Sequence, residues 1–199
     1  MGRLFAAFRL RPEGSAFGPP GTEGFWEKVM ELLFSPTGRI SQPTYWRAVI
    51  ILFAVSAVIS IVSAYASPFL SFISLIFIWP WIAVHAKRFH DAGKTGWLTL
   101  AMIVLAIVVS IVAGMLLPPL FGVNAAAMQQ EMQEGMEEYL SSNDPSAAMA
   151  YVMQETRKIS QAQLLPGLAS SAIVTGVIGT VMGLFKSDPN ENQYGPPTA

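Results

Sequence analysis

Cysteine is absent from the 199 residues, histidine occurs twice, and only 13% of the chain is charged. Without cysteine there is no disulfide, no thiolate nucleophile and no thiolate-bound metal. A soluble domain carries about 25% charged residues, so this chain has roughly half the usual solvating surface, and a soluble enzyme is the first class excluded. Twelve Lys and Arg against thirteen Asp and Glu give a net charge of −1, which leaves no basic footprint for nucleic acid. What is abundant is apolar: 52% of the residues are hydrophobic, and they are gathered in runs.

The gaps between charges decide the architecture. No Asp, Glu, Lys or Arg lies between Arg47 and Lys87. About 20 apolar residues cross a hydrocarbon core. Residues 46–66 form one such span, and residues 69–85 a second, slightly short one. Ser67-Pro68 separates them as a tight hairpin, and Pro80 predicts a kink. Residues 97–117 give a third span, closed by Pro118-Pro119, and residues 164–185 a fourth, closed by Lys186. Trp46, Trp79, Trp81 and Trp97 stand at or near span ends, where amphipathic rings favour the headgroup region. A soluble bundle would show a charged stripe on each helix, and these runs have none.

Ten of the twelve Lys and Arg fall on one side of this arrangement: Arg3, Arg9, Arg11, Lys28, Arg39, Arg47, Lys87, Arg88, Lys94 and Lys186. Arg157 and Lys158 alone fall on the other. The positive-inside rule then puts both ends and the 86–96 connection in the cytoplasm and residues 118–163 outside. The opening residues do not form a signal peptide, because Arg9 interrupts the apolar stretch too early.

Several polar pieces invite a function. Residues 25–34 place Phe25, Val29, Leu32 and Leu33 on one helical face, suiting either an interfacial helix or one packed on the bundle. Ser41 is a candidate N-cap for the first span. Both histidines lie in the stretch 85–97, with Lys87, Arg88, Asp91, Lys94 and Thr95. Three readings of that stretch compete: an anion or headgroup site, an acid/base pair of His90 and Asp91, or a structural connection in which Arg88 and Asp91 satisfy each other. The structural reading is favoured, since basic loops are the rule at cytoplasmic span ends. Gly93-Lys94-Thr95 lacks the glycine a phosphate-binding loop needs at position 88, and two histidines are too few for zinc. No metal and no other cofactor is expected.

Between the third and fourth spans, Met128, Met132, Met136 and Leu140 recur every fourth residue among Glu131, Glu134, Glu137 and Glu138, the pattern of an amphipathic helix. Asn143-Asp144-Pro145 marks a turn, with Asp144 capping a second helix that carries Met149, Val152, Met153 and Ile159 on its apolar face. Methionine thioethers suit Cu(I), but methionine at helical spacing more often packs. In the fourth span Ser171, Thr175, Gly179 and Gly183 make a small-residue stripe that lets helices approach closely, within the chain or between two protomers.

Three motifs together carry a family resemblance. They are Gly38-Arg39-Ile40-Ser41 with Tyr45-Trp46, the run Arg88-Phe89-His90-Asp91-Ala92-Gly93-Lys94-Thr95-Gly96-Trp97, and Asn192-Gln193-Tyr194-Gly195-Pro196. In combination they resemble the small bacterial inner-membrane proteins grouped as domain of unknown function 805, over roughly residues 25–120 and 164–197. The resemblance implies a bacterial plasma-membrane protein and no established activity. Leu98 departs from the family, where a second Trp is common, and the Met-rich residues 122–163 look like an insertion.

The expected fold is therefore all-α and polytopic: four transmembrane helices with an extracytoplasmic helical insertion between the third and fourth. Residues 1–24 would be a flexible cytoplasmic segment, 25–120 the interfacial helix and first three spans, 121–163 the acidic insertion, and 164–199 the fourth span and a cytoplasmic tail. Arg39, Arg88, His90, Asp91, Lys94 and Tyr194 all fall on the cytoplasmic side. They form a candidate polar cluster for an anionic lipid headgroup or another membrane protein. The alternatives are a lipid-modifying enzyme using His90 and Asp91 and, third, a small transporter. The partners expected are the lipid bilayer and, through the small-residue stripe, a second copy of the chain, with no nucleic acid.

Overall fold

The computed structural model describes residues 23–141 and 144–198. Residues 1–22, with Arg3, Arg9 and Arg11, lie outside the described residues, as do Asn143 and the side chains of Glu138 and Leu140. Among the described residues the chain is all-helical: α1 (Glu23–Phe34), α2 (Gln42–Tyr65), α3 (Ile78–Asp91), α4 (Thr99–Leu120), α5 (Ala125–Ser141), α6 (Pro145–Ala162) and α7 (Leu164–Leu184). Four segments are long and apolar enough to cross a membrane: Gln42–Tyr65, Pro68–Asp91, Gly96–Leu120 and Leu164–Leu184.

The core is a stripe on α2 facing α3 and α7. Tyr45, Ala48, Val49 and Leu52 follow helical spacing and are all buried, against Val84 and Phe89 of α3 and Ile178 and Met182 of α7. Large apolar side chains elsewhere point outward, as with Val104, Ile107, Val108 and Ile111 of α4. Such a surface needs hydrocarbon around it, since apolar exposure on that scale is not tolerated in water.

The second span differs from its expected form at both ends. Residues Pro68–Phe77 wind as a 3-10 helix, with the hydroxyls of Ser71 and Ser74 donating to carbonyls three residues back at 2.6 and 2.5 Å. A 3-10 helix rises about 2.0 Å per residue against 1.5 Å for an α-helix, which lengthens this span. Because the α-helix starts only at Ile78, Pro80 falls in its first turn, where the missing N–H has no intrahelical acceptor to lose. Pro80 therefore sits beside a change of helix type rather than in the middle of an α-helix. At the other end α3 continues past His85 to Asp91, so both histidines are helical and the span carries ionisable residues in its last turns.

The third span likewise runs through Pro118 and Pro119 to Leu120. It stops at Gly122, whose φ of +74° lets the Val123 N–H return to the Pro118 carbonyl at 2.8 Å.

The α1 helix packs on α3. The Lys87 ammonium donates to the carbonyls of Glu31 and Leu32, and Trp79 Nε1 donates to the Phe34 carbonyl at 2.8 Å. These carbonyls belong to the last turn of α1, where Glu31 otherwise accepts only a long bond from the Ser35 N–H at 3.3 Å, and a cation is the favoured charge there. Phe25, Trp26 and Met30 of α1 remain outward-facing.

The α5 and α6 helices form a hairpin in which Tyr151 Oη donates to the Glu131 carbonyl at 3.0 Å. Asp144 caps α6 by accepting from the backbone of Ser146 and Ala147 at 3.0 and 3.2 Å. Those same bonds, with the Ser146 hydroxyl foremost, hold its carboxyl below the usual carboxylate range. The hairpin is tied to the far end of α2, where Arg157 and Gln161 donate to the carbonyls of Ala66 and Ala64 at 2.8 and 3.2 Å.

Candidate functional site at the Asp91 end of the bundle

Asp91 is the hub of the polar cluster. Its Oδ2 accepts from Arg88 Nη1 at 2.5 Å and from Ser187 Oγ at 2.5 Å. Its Oδ1 accepts from Arg39 Nε at 3.3 Å and from Thr198 Oγ1 at 2.6 Å. A carboxylate offers about four lone-pair sites, and all are taken by donors of this chain. The Arg88 and Asp91 side chains are both 0% exposed and the Arg39 side chain 2%. A buried charge requires such partners, because its desolvation is otherwise prohibitive.

Arg39 closes the cluster from the other side. Besides Asp91 Oδ1, its guanidinium donates to the carbonyls of Asn190 at 2.8 Å and Gly195 at 3.2 Å through Nη1. Through Nη2 it donates to the carbonyls of Asp91 at 3.2 Å and Asp188 at 2.5 Å. The five donors of a guanidinium are thereby all used. Arg88 adds a bond from Nη2 to the Phe185 carbonyl and one from Nη1 to Ser187 Oγ at 3.2 Å, while its Nε has no partner among the described residues. The two arginines thus fold residues 185–198, which follow α7, back across the end of α3.

The other motif residues fit round this lock. Lys94 N–H reaches the Phe89 carbonyl at 2.9 Å and Gly93 N–H the His90 carbonyl at 3.0 Å, the Schellman ending of a helix. Gly93 adopts the left-handed φ of +67° this requires, and a β-carbon there would press on Asp188 Oδ2 at 3.2 Å. His90 Nδ1 donates to the Gly38 carbonyl at 3.1 Å, the assignment a carbonyl acceptor demands. A β-carbon at Gly96 would lie 2.9 Å from His90 Nε2, so glycine leaves the ring its place. Tyr194 stacks on that ring at 3.7 Å between centroids and 6° between planes. Tyr194 is positioned by Asn192, whose Oδ1 accepts its N–H at 2.9 Å and whose Nδ2 donates to the His90 carbonyl at 3.2 Å.

The structure brings together Arg39, Arg88, His90, Asp91 and Tyr194, residues that come from three separated segments. Lys94 stands apart: it is exposed, with Nζ 5.7 Å from the Phe185 ring centroid. The side chains of His90 and Asp91 face different partners and do not form a hydrogen-bonded pair. Sequence reasoning missed Ser187, Asp188, Asn192 and Thr198. Only Asn192 had a visible signal, as the first residue of the Asn-Gln-Tyr-Gly turn. The Asp188 carboxyl is held below its ordinary range by the Asn190 N–H first, then by the Asn192 side chain, with the Arg39 charge adding to both. Among the described residues no three His, Asp or Glu side chains gather closely enough to hold a metal ion.

A second polar pair lies deeper. Buried His85 donates from Nδ1 to the Trp81 carbonyl at 2.7 Å and accepts at Nε2 from Tyr45 Oη at 3.2 Å. The small-residue stripe of α7 divides in two. A β-carbon at Gly179 would overlap the Trp46 ring of α2, and one at Gly183 would lie 3.2 Å from Gln42 Nε2, so the glycine half packs within the chain. Ser171 and Thr175 line a cavity beside α4.

Four apolar spans closed at one end by a buried arginine–aspartate lock define a multi-pass helical membrane protein. Within that class, the chain belongs to the family described as protein of unknown function (DUF805), which matches residues 33–196. The match takes in Arg39, the Arg88–Trp97 run and the Asn192–Pro196 turn, and it includes α5 and α6. No curated protein and no solved structure matches the chain.

Proposed function

We propose that this protein is a non-catalytic binding module of the bacterial plasma membrane, with the Asp91 end in the cytoplasm and the α5–α6 hairpin outside. Its ligand is an anionic lipid headgroup held by the basic side chains around the lock. One observation carries the reading. Every donor of Arg39 and every acceptor site of Asp91 is satisfied inside the chain, whereas Lys28, Arg47, Lys94 and Lys186 at the same end are exposed. Arg39, Arg88, His90, Asp91 and Tyr194 then act as the rigid floor, and the exposed cations as the contact surface. The positive-inside rule supports the orientation, since these cations share one end. An acid/base pair of His90 and Asp91 lacks support, because both side chains already have other partners.

The test is the lipid content of protein extracted gently from membranes holding both phosphatidylethanolamine and phosphatidylglycerol. Enrichment of phosphatidylglycerol over the bulk is expected, falling about fivefold for each charge removed in Arg47→Gln, Lys94→Gln and Lys186→Gln. A composition equal to the bulk, unchanged in these variants, refutes the reading. Cysteine introduced at Lys94 should label only from the cytoplasm, and labelling from outside would overturn the orientation.

A further inference from the structure

Between α2, α3, α4 and α7 lies a cavity of about 400 Å³ with mainly apolar walls. Among its lining hydroxyls, the one that is fully buried without a hydrogen bond among the described residues is at one end. Thr99, the first residue of α4, is 5% exposed, and its Oγ1 has no hydrogen-bond partner among the described residues. A helical threonine commonly donates to a carbonyl one turn back; this hydroxyl does not, and an unmade bond in a buried site is unfavourable. His85 also lines the cavity, but both ring nitrogens are engaged by Trp81 and Tyr45. Thr99 Oγ1 is therefore the buried donor left at this end of the cavity.

The other end is set by Ser110 of α4 and Ser171 of α7. From Thr99 to Ser110 the helix advances about 16 Å. A hydrocarbon core is about 30 Å thick, so the cavity begins just inside the boundary at the Asp91 end and reaches the midplane. That is the depth of one leaflet. The ester carbonyls of a glycerophospholipid lie at that boundary, acceptors without donors of their own, with acyl chains running inward from them.

We propose that the cavity holds one acyl chain of a glycerophospholipid from the leaflet at the Asp91 end, with its ester carbonyl accepting a hydrogen bond from Thr99 Oγ1. The chain lies along Ala106 and Thr175, and its methyl end reaches Ser110 and Ser171. The site is separate from the exposed cations described above and does not depend on them. It selects for a chain and a carbonyl and is indifferent to headgroup charge.

The full chain is reconstituted in vesicles of phosphatidylethanolamine and phosphatidylglycerol. A trace of phosphatidylethanolamine carries a diazirine at the methyl end of one acyl chain, and the photolabelled residues are read by peptide mass spectrometry. The expected label centres on Ser110 and Ser171 and is equal when phosphatidylglycerol carries the probe, which separates this site from a headgroup contact. Thr99→Val, which keeps the shape and removes the hydroxyl, lowers it about two- to tenfold, the effect of one neutral hydrogen bond. Ala106→Trp fills the cavity and abolishes it, and Ser171→Leu, a milder obstruction, serves if the first variant does not fold. Label spread evenly over the outward side chains of α4, such as Val104 and Ile111, and indifferent to Thr99→Val would overturn the proposal. So would complete displacement by an equal amount of oleate, which would assign the cavity to free fatty acid.

Discussion

The guanidinium of Arg88 and the carboxylate of Asp91, one helical turn apart on α3, meet at 2.5 Å with neither side chain exposed. Two such charges pass from water to the membrane end of a bundle only if most of their hydrogen bonds are replaced, and here Arg88 Nε alone goes unpartnered among the donors and acceptors of the pair. The Ser187 and Thr198 hydroxyls and the Arg39 guanidinium complete the set.

Removing one partner should therefore be severe. Asp91→Asn leaves Arg88 and Arg39 facing each other without a counter-charge, and a loss of about 3–5 kcal/mol is expected. Arg88→Met should cost a similar amount. The double variant Arg88→Met/Asp91→Leu should recover only part of it, since Arg39, Ser187 and Thr198 also lean on Asp91. Thermal unfolding followed by size-exclusion chromatography in detergent measures all three, and additive losses in the double variant would contradict the pairing.

The stacked rings of His90 and Tyr194 add only surface contact to the hydrogen bonds that hold residues 185–198, since Tyr194 Oη makes no hydrogen bond among the described residues. Tyr194→Phe should behave as the parent. Tyr194→Ala should loosen the segment around residue 194, losing about 0.5–1.5 kcal/mol of ring contact while the arginine bonds remain. Modestly faster proteolysis within residues 185–198 reports the loosening.

Acid should loosen the same segment, but late. The Asp188 carboxyl titrates below its ordinary range, so its contribution is fully present above the ordinary carboxylate value of about 4 and fades as pH falls through the lower folded value. A nitroxide at Glu191→Cys, in a chain with no native cysteine, should stay immobilised at pH 5 and gain mobility only below about pH 4. Asp188→Asn should remove this dependence. Mobilisation between pH 5 and 7 would show that another group controls the segment.

The glycines of α7 give a graded series. Gly179→Val drives methyl groups into the Trp46 ring and should cost about 1–3 kcal/mol, relieved by Trp46→Ala in the same chain. Gly183→Ala meets only the flexible end of Gln42 and should be mild. Gly176→Ala, with open space around it, should be neutral or slightly stabilising through helix propensity. Equal effects at all three positions, measured by thermal unfolding, would mean that α7 is not packed on α2 as described.

The spans were legible because a charge-free run of twenty residues has almost no alternative to a membrane helix. Their ends were less so. Lys87, Arg88 and Asp91 look like loop charges by composition, yet they are helical because the carbonyls of α1 and residues 185–198 come to meet them. Pro80 suggested a kink because the start of the α-helix depends on the 3-10 segment before it, and no periodicity distinguishes the two. Arg39, Arg88, His90, Asp91 and Tyr194 were marked by their motifs and by falling on one side. Ser187 and Thr198 were not: each is a small hydroxyl in a polar stretch, and only its contact with Asp91, 96 and 107 residues away, gives it meaning. The same holds for Thr99, whose importance lies in a bond it does not make.

The distance along the chain between Asp91 and its hydroxyl donors also sets a clock. A ribosome adding about 5–20 residues per second needs roughly 5–20 s to travel from Asp91 to Thr198. For that interval Arg39, Arg88 and Asp91 have been made but lack the segment that shields them. The nascent bundle is therefore open at the Asp91 end and becomes closed only when residues 185–198 arrive. A chain cut short after α7 would present unshielded arginines to the membrane surface. A finished molecule thus differs from an unfinished one in whether its buried charges are shielded.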